Sequence, residues 1–175
     1  MESDLRYPIG KFEAVTSLTP DQRRQYIDVI ADAPARLAAA VAGLTPAQLD
    51  TPYRPEGWTV RQLVHHIADS HMNAVIRFKL TLTEDEPMVK TYEESLWAEL
   101  ADAKTPPIET SLVLIDNLHN RWVLLLRSIA PAEWLRKFRH PQWGPATMDF
   151  LLAQYAWHSK HHVAHITALR QRHGW

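Results

Sequence analysis

Thr59-Val60-Arg61-Gln62-Leu63-Val64-His65-His66-Ile67-Ala68-Asp69-Ser70-His71-Met72-Asn73 decides the fold. Thr59 and Gln62 stand three apart, the spacing at which each side chain can satisfy the other's backbone N–H at a helix start. Behind them Leu63, Val64, Ile67, Ala74, Val75 and Phe78 recur at helical spacing, which predicts a helix to roughly Leu82. Thr83-Glu84-Asp85-Glu86-Pro87 ends it. His66, Asp69, Asn73 and Arg77 form a polar line along the same helix. Pointed into a core, such a line is costly unless it is paired or holds something; on the outer face it is ordinary solvation.

The same start signal appears twice upstream. Thr19-Pro20-Asp21-Gln22 opens a helix to about Gly43, which Pro34 should kink or divide. Thr45-Pro46-Ala47-Gln48 opens a single turn ending at Asp50. Downstream, Tyr92 to Ala101 reads as one short helix, and Thr105-Pro106-Pro107 breaks the chain. A long helix then runs through Leu114, Ile115, Leu118, Trp122, Leu125 and Leu126 to Ile129, and Ala130-Pro131-Ala132-Glu133 starts another turn. Arg139 to Pro145 reads as a loop, with a small hairpin as the alternative. Thr147 caps the last long helix, Met148 to about His173, and Gly174 follows its end. Four long amphipathic helices with long connections predict an all-α four-helix bundle. Residues 1–175 read as one domain, with 1–18 as an extended N-terminal arm, packed or partly disordered.

Composition removes several functions. The formal net charge is −1 and no basic stripe is visible, so no nucleic-acid partner is expected. The chain has no Cys, which excludes disulfides, thiolate metal sites and a Cys nucleophile and fits a cytoplasmic protein. Met1-Glu2-Ser3-Asp4-Leu5-Arg6 has no apolar signal-peptide core, and no apolar run approaches the ~18 residues of a membrane span. A Gly-rich phosphate loop, a Gly-x-Ser-x-Gly elbow, a His-Glu-x-x-His motif and the Glu-x-x-His pairs of di-iron bundles are all missing. Seven Trp are read first as core residues.

The ten His are clustered. His65, His66 and His71 lie on one predicted helix, and His158, His161, His162 and His165 on another. His158 with His162, and His161 with His165, are four apart and therefore share a face, about one turn from each other. The two pairs diverge by ~60°. Such a pair supplies two nitrogens that an ion can bridge, and a third from the His65-His66 cluster would complete a site. A single imidazole here is most simply a packed or solvated side chain; the set of three favours a metal.

Two stretches carry a resemblance: Gly57-Trp58 leading into the opening segment, and Tyr155-Ala156-Trp157-His158-Ser159-Lys160-His161-His162-Val163-Ala164-His165-Ile166. Together with Tyr7-Pro8-Ile9-Gly10, Leu49 to Arg54, Ile76 to Leu80 and Trp97 to Leu100, they resemble the DinB-like superfamily, in particular its YfiT-type metal-dependent hydrolases. The resemblance implies a four-helix bundle with one divalent ion, zinc or nickel, per chain and a cytoplasmic homodimer. It places the ligands at His66, His158 and His162. Relatives include thiol S-transferases that use bacillithiol, mycothiol or glutathione.

Two chemistries follow as expectations for a small-molecule substrate. In the first, the ion activates water for attack on an ester, amide or similar electrophile, with Asp69, His161 or His165 orienting it or moving its proton. In the second, a low-molecular-weight thiol takes the open position, with Arg77 and Lys160 as candidate anchors for an anionic cosubstrate. A third expectation is a non-catalytic site closed by a fourth imidazole from His71, His119 or His140. Tyr92, Trp97 and Trp143 are candidate pocket residues.

Overall fold

The computed structural model describes residues 4–175. Helix α1 spans Pro20–Val41, α2 Pro46–Leu49, α3 Val60–Thr83, α4 Glu94–Trp97, α5 Ala101–Lys104, α6 Glu109–Ser128 and α7 Met148–His173. A 3₁₀ turn at Pro131–Leu135 leads to strands β1, Lys137–His140, and β2, Gly144–Thr147.

Each Thr-x-x-Gln signal forms a full capping box. The hydroxyls of Thr19, Thr45 and Thr59 accept from the N–H of Gln22, Gln48 and Gln62, and each Gln side chain accepts from the N–H of its Thr. Thr147 accepts from Phe150 N–H at the start of α7, and Gly174 at its end takes the left-handed conformation, φ +70°. Residues Arg139 to Pro145 are the hairpin rather than a plain loop: β1 and β2 pair antiparallel, and Gly144 turns at φ +74°. Helix α1 runs unbroken through Pro34, which excludes division, one of the two alternatives there. One expectation needs correction. Tyr92 to Ala101 is not one helix but the separate turns α4 and α5, neither start having a side-chain cap.

The four long helices form the bundle. α1 packs beside α6 and α7, and α3 packs beside the same two, so α1 and α3 are diagonal partners. Successive long helices on a diagonal need the long connections that the sequence provides.

The core has two apolar halves. One holds Ile27, Ile30, Phe78, Trp122, Leu126, Leu151 and Leu152; the other holds Leu37, Leu63, Val64, Ile67, Ile115, Ile166 and Leu169. Between them in sequence, on three of the long helices, fall polar buried residues: His66, Ser70 and His71 on α3, His119 on α6, and His158, Ser159, His161, His162 and His165 on α7. The bundle therefore carries a histidine layer at mid-height, an arrangement that persists only if its nitrogens find partners.

The described part of the N-terminal arm, Asp4 to Leu18, packs on α7. Gly10 carbonyl accepts from Trp157 Nε1 at 3.3 Å, and Phe12 meets Phe150 edge-on. Residues 1–3 of the expected arm lie outside the described residues. No helix among the described residues is long and apolar enough to cross a membrane.

Candidate metal centre

Three imidazoles converge from two helices. His66 comes from α3, and His158 and His162 come from one face of α7. One nitrogen from each lies within 4.8 Å of the other two. Nε2 of His158 and Nε2 of His162 are 3.1 Å apart. Two nitrogens each ~2.0–2.1 Å from one ion sit roughly 3.0–3.4 Å apart, so the separation suits a shared cation. All three rings are buried. Burial lowers the His66 pKa to about 4 and holds His158 and His162 well below the usual imidazole range. They are therefore neutral near pH 7, the form a cation requires. Nδ1 of His66 is buried without a hydrogen-bond partner. Three neutral nitrogens with an unpartnered buried atom fit a first-row divalent ion and leave positions for water or substrate.

His161, His162 and His165 form an overlapping group within the same reach. There, however, His165 is engaged at both nitrogens. Its Nε2 is 3.2 Å from the Arg6 carbonyl and its Nδ1 is 3.4 Å from Nδ1 of His162. Its ring stacks on Tyr53 at 4.2 Å. His161 stacks on Trp157 at 4.2 Å, and its buried Nδ1 has no partner.

The trio opens into a cleft of about 640 Å³. His161 and His165 line it, as do Tyr7, Tyr53, Trp58, Ser70, Arg77, Glu94, His140 and Trp143. Asp69 does not line it. Ser70 does, its Oγ 3.4 Å from Nε2 of His158. The reason is helical: at ~100° per residue, the fourth position after His66 returns closer to its face than the third. Asp69 is half-buried, and burial, then the nearby charge of Asp102, raises its pKa to about 6.

The other polar candidates separate cleanly. Arg77 is buried, donates to Tyr155 Oη at 3.2 Å and to Lys90 carbonyl at 3.1 Å, and leaves Nε unpartnered. Lys160 is exposed. His65 turns from the trio toward Ser111 Oγ, 2.7 Å from its Nδ1. His71 and His119 do not join the trio; they stand behind it, with Nε2 of His71 3.2 Å from Nδ1 of His158. His140 lies at the cleft, stacked on Trp143 at 3.7 Å. Tyr92 also lines the cleft, whereas Trp97 packs on Tyr92 outside it.

Sequence reasoning missed Ser70, Trp58, Tyr53, Glu94 and the arm residues Arg6 and Tyr7. Ser70 was discoverable from its i+4 spacing to His66. The rest reach the cleft from the N-terminal arm, from the connection before α3 or from the four-residue turn α4, where periodicity carries no signal.

The sequence pattern of the DinB superfamily matches residues 30–166. A protein of Bacillus mycoides (strain KBAB4), named provisionally as a metal-dependent hydrolase, is 52% identical over 172 residues, covering 98% of this chain and 99% of its own. YfiT of Bacillus subtilis (strain 168), with the same provisional name, is 49% identical over 173 residues, covering 98% of this chain and 97% of its own. The solved structure of YfiT, described as having an unusual four-helix bundle topology, superimposes with a TM-score of 0.96 at 48% identity, over 98% of this chain and 99% of that one. A superfamily pattern spanning most of the chain, near-full-length relatives at about half identity and a shared backbone agree on one assignment: the chain belongs to the DinB superfamily.

Proposed function

We propose that the chain is a metal-dependent hydrolase, with one divalent ion, zinc or nickel, held by His66, His158 and His162. The observation that carries this reading is the convergence of three buried imidazoles, two of them 3.1 Å apart through Nε2, on one cleft. When bound, such an ion polarises an electrophile and lowers the pKa of coordinated water toward ~7.

The chain's own residues supply the rest. His161, whose ring lines the cleft and whose pKa burial lowers to about 4, is neutral at pH 7 and so able to accept a proton there. Trp58, tilted over His66 at 4.6 Å, and Tyr7, 6.0 Å from the His161 ring, give the cleft aromatic walls beside the trio. Arg77 makes no ion pair among the described residues and keeps its charge at the cleft wall, so a substrate with an acidic group is favoured over its neutral analogue. Glu94, whose carboxyl burial pushes above the usual range, lines the same cleft.

The test is a panel of activated esters and amides, assayed with zinc- or nickel-loaded and chelated protein, with and without glutathione or bacillithiol. Metal-dependent, thiol-independent turnover that disappears in His162→Ala is expected. Retained hydrolysis in metal-free His162→Ala refutes the reading, and strict thiol dependence replaces it with S-transfer.

A further inference from the structure

His158 is the outermost member of a line of imidazoles. Its Nδ1 lies 3.2 Å from Nε2 of His71; Nδ1 of His71 lies 2.7 Å from Nε2 of His119; Nδ1 of His119 lies 2.7 Å from the carbonyl oxygen of Ile30. All three rings are buried. Burying a charged ring among other imidazoles is costly, so the line is one of neutral rings.

The proton positions follow from the anchor. A carbonyl only accepts, so Nδ1 of His119 carries the proton. A neutral imidazole has one ring proton. Nε2 of His119 must then accept, and His71 donates to it through Nδ1. The same step passes outward: Nε2 of His71 accepts, and His158 donates through Nδ1. Three rings hold three protons, and three hydrogen bonds use them. Nε2 of His158, facing the trio, is left bare.

The anchor has its own cause in the sequence. Ile30 lies inside α1, where its carbonyl would normally accept from the N–H four residues on. That residue is Pro34, which has no N–H to give. The proline leaves a helix-interior carbonyl free for a side chain from α6. The line ends there, since a carbonyl cannot pass a proton onward, so it does not serve as a proton path to solvent.

We propose that His71 and His119, anchored on the carbonyl that Pro34 leaves free, are positioning residues that hold His158 as the Nδ1–H tautomer and aim its Nε2 lone pair at the ion site. The proposal rests on reading His66, His158 and His162 as ion ligands. A shorter line acts alike on His162: His165 donates through Nε2 to the Arg6 carbonyl and accepts at Nδ1 from Nδ1 of His162.

Long-range proton–nitrogen NMR of ¹⁵N-histidine-labelled, chelator-treated protein reads the tautomers without any metal. Nδ1–H is expected for His158, His71 and His119; an Nε2–H tautomer at His158 overturns the proposal. Zinc titration against a competing chelator follows. His119→Phe and His71→Phe should lose roughly 10- to 100-fold in affinity, the range typical of partners that orient ligand histidines. His119→Gln, whose amide oxygen can accept from His71, should recover most of it. A folded His71→Phe protein with wild-type zinc affinity overturns the proposal. Should both Phe variants fail to fold, the wild-type tautomer decides. Correct tautomers with no zinc binding at all would instead refute the ion site.

Discussion

Arg77 sets the clearest residue-scale question. Arg77 forms no direct ion pair among the described residues, and Glu94, which lines the same cleft, is the acidic group within reach of its field. The two hydrogen bonds of Arg77, to Tyr155 Oη and Lys90 carbonyl, are both to neutral oxygens. Arg77→Met keeps the apolar stem and removes the charge. For matched esters, one with a free carboxylate and one with its amide, kcat/KM for the acidic substrate should fall roughly tenfold or more, the effect of losing a charge-assisted hydrogen bond, while the neutral one changes little. Equal losses for both would mean that Arg77 only supports Tyr155. Asp69 and His161 provide a second contrast. Asp69 does not line the cleft and His161 does. His161→Gln should therefore lower kcat roughly 100-fold or more, as removal of a general base does, and Asp69→Asn should leave it within about twofold. Steady-state kinetics on one activated ester checks both, and the reverse ranking would return the proton-handling role to Asp69.

At the scale of elements, Pro34 and Asp149 tie α1 to its neighbours in opposite ways. Pro34 weakens α1 locally while freeing the Ile30 carbonyl for His119. Pro34→Ala restores a helical N–H and removes a residue that costs about 3 kcal/mol in a helix interior. Its N–H then competes with His119 for one oxygen, a change worth roughly 2- to 10-fold in equilibrium terms. Thermal melts in chelator should rise while zinc affinity falls; both rising together would show that the carbonyl anchor has no influence on the site. Asp149, fully buried at the start of α7, accepts from Arg23 Nε at 2.7 Å and from Leu18 N–H at 2.9 Å. Removing it strands Arg23, so Asp149→Ala should destabilise by about 3–5 kcal/mol in urea unfolding, and a loss below 1 kcal/mol would show the pair to be dispensable. The same elements show what a sequence can convey. Helix starts were legible because Thr-x-x-Gln and Thr147 act within one turn. Tyr92 to Ala101 was misread because nothing local marks the break between α4 and α5. Spacing alone left His65 and His66 both open as the partner of His158 and His162. The family resemblance favoured His66, and the coordinates bring its nitrogen within 4.8 Å of theirs while His65 turns to Ser111. The line from His158 to Ile30 was invisible, since it joins four helices whose packing order no periodicity encodes.

Across the whole molecule, the histidine layer makes stability depend on both cation and pH. A ligand bound only by the folded chain stabilises it by about 2.7 kcal/mol at 100 times its Kd. For a chain of this length that is a shift of roughly 5–11 °C in melting temperature. Acid acts on the metal-free protein with a definite sign. Burial lowers His66, His161, His165 and His140 to about 4, whereas unfolded imidazoles titrate near ~6.5. Between those values the unfolded chain binds more protons, so stability present above about 6.5 is lost as pH falls toward 4. Asp69 opposes this: its pKa is raised to about 6, so its contribution is present at low pH and lost as pH rises through that value. The histidines outnumber it, and the net expectation is a melting temperature in chelator that declines steadily from pH 7.5 to pH 5. In the metal-loaded protein, protons also compete with the ion for the same nitrogens, so the gap between loaded and chelated melts should narrow over that interval. Circular-dichroism melts at four pH values, each with and without zinc, measure both effects. A chelated melting temperature that stays flat or rises on acidification would mean that the layer relaxes and hydrates its imidazoles, and the bundle would then have no need of a cation to keep its middle together.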